Sequence, residues 1–270
     1  MRVMTGNADI RRAFLGQHRR MMSTAASLTD QQLLAPSRCE GWSSADVLEH
    51  LRGVAEFWIF SMAAGIAGQP TTILSGFDPE ATPRETVAGS NAGSVDEARE
   101  QYLAAASQLE HTVAALGDDT WEAIVEAPPG HVTIGTMLHH AVWDCWIHER
   151  DIAIPLGIEP VEDPVEVTCV LAHAIGLTAC MAIQYAESRS ARIGVLAADP
   201  HVELTVDVGR TTVVSYNSLP TDAPLLTGSS VDLIEGISCR RPLDSSSLSE
   251  NSWVVKGLAD VFAPAGANEL

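Results

Sequence analysis

Residues 136–154 read TMLHHAVWDCWIHERDIAI and are followed by Pro155-Leu156-Gly157. At 100° per residue, Met137, Ala141, Asp144, Cys145, His148 and Ile152 fall within one stripe of a helix. The Pro and Gly behind it end that helix. Asp144 and His148 stand four residues apart, so their Cβ atoms are neighbours at about 5–6 Å. A carboxylate on an apolar stripe is costly unless it is paired or bound to a metal. An internal Asp–His pair and a metal site are the two readings of this spacing. His140 is related to Asp144 in the same way, but i to i+8 spans about 12 Å along a helix. His140 therefore flanks the pair instead of sharing an ion with both. Asp151, three residues after His148, is either a surface carboxylate or the acceptor for His148's second ring nitrogen.

Upstream, residues 37–51 read SRCEGWSSADVLEHL. Ser43 and Asp46 have the S-x-x-D spacing of a capping box, and Trp42 and Val47 occupy the two positions of a hydrophobic staple. The helix they open runs to Met62 or beyond, with His50 on the face shared by Val47, Leu51, Val54 and Phe57. Alone, His50 reads more readily as a hydrogen-bonded core histidine than as a ligand. Together with Asp144 and His148 it completes a set of two imidazoles and one carboxylate from facing helices. Such a set suits zinc and leaves coordination positions open for water or substrate.

Two more helices complete this half. One covers 10–27 (Ile10, Phe14, Met21, Met22), with Asp9 as its cap, and one covers 94–116, capped by Ser94 with Glu97 three residues on. Residues 68–93, rich in Pro, Gly, Thr and Ser, form a long loop with at most one helical turn, and PPG at 128–130 is a second break. The expectation is a four-helix bundle. After Pro164 the pattern changes. A long apolar helix over 165–187 precedes short β-type runs ARIGVLAA, HVELTVDVG and TTVVSYN, then a helix over 229–239 and the closing segment SWVVKGLADVFA. The chain is thus expected to be an α+β protein of two domains, a bundle over 1–160 and a small α+β domain over 161–270.

A formal net charge of −19 repels phosphate backbones and anionic lipid heads, which argues against nucleic acid and membrane partners. Residues 167–183 sit at the lower limit of a membrane span and include Thr168, His173 and Thr178, so a buried helix is the reading taken. The N-terminus lacks the apolar stretch of a signal peptide. The five cysteines are odd in number, scattered, and free of any C-x-x-C pair, as expected of reduced thiols in a cytoplasmic protein. Cys145 reads as a small buried core residue.

SRCEGWSSADVLEHL resembles the Gly-Trp-Thr/Ser turn and His-Leu helix end of DinB-like proteins. WDCWIHERDIAIPLG is similar to their later E-x-x-x-H-x-x-D helix with its Leu-Gly turn. The order of elements most resembles the mycothiol-dependent maleylpyruvate isomerases of actinobacteria, a metal-binding bundle followed by a sterol-carrier-like domain. That resemblance implies His50, Asp144 and His148 as ligands of a divalent metal, with zinc the first choice. Asp144 stands where the isomerases usually carry Glu, and Ala141 and its neighbours stand where they carry an Arg. LIEGISCRRPL resembles the family's Leu-Trp-Leu-Thr-Gly-Arg segment, implying Arg240 as the functional arginine. The implied activity is attack of metal-activated mycothiol, a low-molecular-weight thiol, on a small-molecule electrophile, by isomerisation or by S-transfer. A monomer or homodimer is expected. The alternatives are a metal-dependent hydrolase with His140 as base, and a non-catalytic protein that binds an apolar ligand in its C-terminal domain.

Overall fold

The computed structural model describes residues 1–4, 6–79, 81–90, 92–185 and 189–262. The chain forms two compact units, Asn7–Glu166 and, in the other, Met1–Gly6 with Val167–Leu270.

The first unit is built on four long helices: α1 (Asn7–Ser27), α3 (Ser44–Ile66), α5 (Val95–Ala114) and α6 (Ile134–Ala153), with a short α2 (Asp30–Leu33) after α1. Helices α1 and α3 each pack against both α5 and α6, which is the four-helix bundle expected. Met21, Leu33, Val47, Leu48, Leu51, Tyr102, Cys145 and Ile152 meet in its core. The capping box at α3 is present in both directions: Asp46 N–H donates to Ser43 Oγ at 3.2 Å and Ser43 N–H to Asp46 Oδ2 at 2.8 Å. Trp42 packs partly buried against the cluster that holds Val47, as a staple requires.

Several local expectations need correction. Helix α1 begins at Asn7, so Asp9 lies inside its first turn and is not its cap. Glu97 N–H does donate to Ser94 Oγ, but the Glu97 carboxylate turns to Gly93 N–H. The stretch 68–93 carries more order than a loop with one turn, a 3-10 turn at Ile73–Gly76 and a helix α4 (Ala81–Ala88). Around PPG the break is a hairpin of β2 (Ile124–Ala127) and β3 (Gly130–Thr133), with Gly130 at φ 100°. Its four-residue strands are too short to show a period of two. Tertiary contacts hold the hairpin. Ser61 Oγ, on α3, donates to Glu126 O at 2.8 Å and accepts from Glu126 N–H at 3.0 Å. A Cβ on Gly65 would stand 2.4 Å from Ile124 O, so only glycine lets α3 approach β2 this closely.

The second unit holds a five-stranded sheet in the order β1-β6-β5-β4-β7, where β1 is Arg2–Met4, β4 Ala191–Ala198, β5 Val202–Val208, β6 Val213–Tyr216 and β7 Leu225–Ser229. Strands β4, β5 and β6 are the three β-type runs, paired antiparallel. Strands β1 and β7 add parallel at the edges, against β6 and β4, and neither was expected. Helix α7 (Pro164–Tyr185) is the long apolar one, and its expected last residues, 186 and 187, lie outside the described residues. Among the described residues it is long and apolar enough to cross a membrane, and 83% of that stretch is buried inside the protein. Thr178 Oγ1 on α7 accepts the Leu258 N–H of the short closing helix α9 (Gly257–Val261). Helix α8 (Ser230–Ile237) follows β7 and is capped by Ser229. Ala263, the last residue of the expected closing segment, is outside the described residues.

Candidate metal centre

His50 sits in the first third of α3, and Asp144 and His148 are one turn apart on α6. One ligand atom from each of the three lies within 4.8 Å of the others. Asp144 Oδ1 is 3.7 Å from His50 Nε2 and 3.6 Å from His148 Nε2. Both separations exceed a hydrogen bond. The two imidazoles meet edge to face with centroids 4.9 Å apart, and Trp42 packs on His50 at 5.6 Å. The residue expected to be a stripe neighbour and nothing more, Cys145, is buried, and burial pushes its thiol well above the ordinary range.

The electrostatics follow from the geometry. Burial opposes ionisation of Asp144, but the approach of His50 and the charges of His148 and His140 hold its carboxyl well below the usual carboxylate range. Burial also disfavours a charged His148. Bonds to Asp151 and Cys39, with the charge of Asp144, overcome it and raise His148 to about 10. His140 is buried between Trp58 and Trp143, with ring centroids at 5.4 and 5.3 Å, and burial lowers it to about 4.

Asp151 is fully buried and accepts from His148 Nδ1 at 3.0 Å, which leaves His148 Nε2 turned to the cluster. Arg38 Nε donates to Asp151 Oδ1 at 3.0 Å, and Arg38 N–H to the Asp151 carbonyl, also at 3.0 Å. Cys39 Sγ donates to Asp151 Oδ2 at 3.2 Å and stands 3.6 Å from His148 Nδ1. Sequence reasoning left Arg38 and Cys39 without a role. They reach the site because the turn before α3, with Gly41 at φ 77°, closes by Trp42 N–H to Cys39 O and docks on the end of α6. Gly41 between Pro36 and the cap was the available signal for a tight turn.

These residues fit a divalent ion. Two imidazole nitrogens and a carboxylate converge, His148 is oriented from behind by a buried carboxylate, and Asp144 Oδ2 is buried with no hydrogen-bond partner in the protein. Arg240 belongs to the other unit, just past α8. Its Nη1 donates to Ser238 O at 3.1 Å, and it follows Cys239 at φ 60°.

Residues 14–153 match the family described as the mycothiol maleylpyruvate isomerase N-terminal domain. This chain belongs to that family. The matched segment runs from α1 to the end of α6 and so contains all three clustered residues of the mycothiol maleylpyruvate isomerase N-terminal domain in this protein. Among solved structures the fold is similar to that of mycothiol-dependent maleylpyruvate isomerase, with a TM-score of 0.59 and 18% identity over 88% of this chain and 93% of that one. A histidine-to-alanine mutant of that enzyme gives the same values. At this identity the likeness is one of fold. No curated protein matches the chain.

Proposed function

We propose that the protein is a mycothiol-dependent enzyme whose divalent metal, zinc by its donor set, is held by His50, Asp144 and His148. The observation that carries this reading is the convergence of those three side chains inside the family's own domain. The bound ion would supply the positive charge that lets a thiol exist as thiolate at neutral pH. The chain's residues do the rest. Asp151 holds the proton on His148 Nδ1, so that Nε2 presents its lone pair to the site, and Arg38 balances the Asp151 charge. Trp42 fixes the His50 ring.

The thiolate sulfur adds to the activated double bond of a small unsaturated electrophile, and the thiol proton leaves to solvent. Rotation about the resulting single bond and expulsion of the thiolate give cis–trans isomerisation; retention of the sulfur after protonation of the carbon gives S-transfer. Arg240 is proposed to bind a substrate carboxylate through its planar fork. The hydrolase alternative is less well supported, because burial holds His140 near 4, far from the neutral value that suits a general base.

The test is turnover of a small unsaturated keto acid with and without mycothiol. Activity must need the thiol, vanish on chelation and return with added metal. Equal turnover without thiol refutes the reading. Arg240→Ala is expected to raise KM for the anionic substrate with little change in kcat, and Arg240→Lys to restore only part of it.

A further inference from the structure

Behind His148 a second set of ligand atoms converges. Cys39 Sγ lies 3.2 Å from Asp151 Oδ2 and 3.6 Å from His148 Nδ1, and His148 Nδ1 lies 3.0 Å from the same Asp151 oxygen. Thiol, imidazole and carboxylate thus close a triangle on Nδ1, whereas Nε2 is the ring nitrogen that approaches Asp144. Arg38 Nε bonds Asp151 Oδ1, which leaves Oδ2 as the oxygen facing the triangle.

Zinc bonds sulfur at about 2.3 Å and nitrogen or oxygen at about 2.0–2.2 Å, which sets tetrahedral ligand atoms about 3.3–3.6 Å apart. Each side of the triangle is within about 0.4 Å of that spacing. The sulfur is held in place by its own backbone: Cys39 N–H donates to Ser37 Oγ at 3.1 Å, and Cys39 O accepts Trp42 N–H at 3.0 Å. Asp151 is fully buried but Cys39 is only half-buried, which gives an ion a way in. A thiol is a weak hydrogen-bond donor, so a hydroxyl would serve Asp151 better as a partner. As a ligand the sulfur is distinctive, because thiolate selects soft cations over magnesium, calcium and manganese.

We propose that Cys39, Asp151 and His148 Nδ1 form a second site, for a thiophilic divalent cation such as zinc or cadmium, in competition with the first site for His148. Binding replaces the thiol proton of Cys39 and the Nδ1 proton of His148, both of which leave to solvent. The ring's remaining proton then stands on Nε2. A neutral imidazole has one lone pair to give, so an ion held on Nδ1 withdraws His148 from an ion between His50 and Asp144. The consequence is control by metal supply: a thiophilic ion at Cys39 dismantles the neighbouring centre. The second site stands on its own three residues, and only the competition rests on the metal-site reading above.

The test uses cadmium(II) as the probe ion, titrated into the metal-free full chain and read by the ultraviolet thiolate-to-cadmium absorption band. The band is expected in wild type and in Asp144→Ala, which removes a ligand of the first site only, and is expected to be lost in Cys39→Ser. Asp151→Asn keeps the thiol and should lose most of the band at the cadmium concentration that saturates wild type. It tests the site even if Cys39→Ser fails to fold. No band in wild type overturns the site, and so does a band undiminished by Cys39→Ser, which would belong to another cysteine. For the competition, zinc-loaded protein saturated with cadmium should show the band and hold a single ion per chain by elemental analysis. Two ions per chain with the band present overturn the competition. Zinc uptake by Cys39→Ser tests the first site separately: no uptake refutes that site and the competition, while the band still decides the second site.

Discussion

Asp151→Asn isolates the electrostatic device behind the cluster. In the metal-free protein His148 is raised from 6.5 to about 10, so the folded state keeps a proton that the unfolded chain releases. A raised histidine contributes stability that is fully present below the unfolded value near 6.5 and is lost as pH rises through about 10. Across that window a single proton gives a slope of about 1.36 kcal/mol per pH unit, and the whole interval about 5 kcal/mol. Asparagine keeps the shape of Asp151 but removes the charge, and with it the strongest bond that sustains the imidazolium. It also strips Arg38 of its carboxylate. That cost falls below the 3–5 kcal/mol of a fully buried pair, because the Arg38 side chain keeps 20% exposure. The assay is urea denaturation of chelated wild-type and Asp151→Asn protein at intervals from pH 6 to 10. Wild-type stability should fall over this range and the variant's fall should be much shallower. Parallel pH profiles would refute the assignment of the His148 proton to Asp151.

The remaining predictions concern the ligands, the loop and the helix start. His148→Ala should lose most of the bound divalent ion by elemental analysis while keeping its helical circular dichroism. Asp144→Ala should lower metal affinity strongly, whereas a lowered denaturant midpoint with unchanged affinity would mark an internal ion pair instead of a ligand. Glu126→Gln should loosen the 71–74 segment, because that carboxylate accepts from Thr71 Oγ1 and from the N–H groups of Ile73 and Leu74 at 2.7, 2.9 and 2.7 Å. The expected cost is about 1–3 kcal/mol, with faster amide exchange at Ile73 and Leu74. Ser43→Ala should cost about 1 kcal/mol in denaturant unfolding, since it removes the side-chain half of the α3 capping box.

The bundle was legible because long amphipathic helices announce themselves by period and by caps. Ser43–Asp46, Ser94 and the Pro155–Gly157 stop mark ends that local hydrogen bonding alone decides. The i, i+4 relation of Asp144 and His148 is likewise fixed by helix geometry and needs no partner. The three central strands of the sheet were readable for a similar reason, since each is long enough or β-branched enough to show its type. Strands β1 and β7 and the β2–β3 hairpin were not, because three to five residues carry too little pattern and are strands only through their neighbours' backbone groups.

What stands behind His148 was decided by tertiary structure. Asp151 was visible as a candidate, but its complete burial, and the arrival of Arg38 and Cys39 from 113 and 112 residues away, depend on how the turn before α3 docks on α6. The distance from His50 to Asp144 depends on the same docking. So does a small cavity beside Asp144, formed where α1, α3, α5 and α6 fail to interdigitate completely. Sequence determines which residues can face inward on each helix. Only the packing of the helices sets which inward atoms meet, because their separations are fixed by side-chain volumes across the core and not by spacing along the chain.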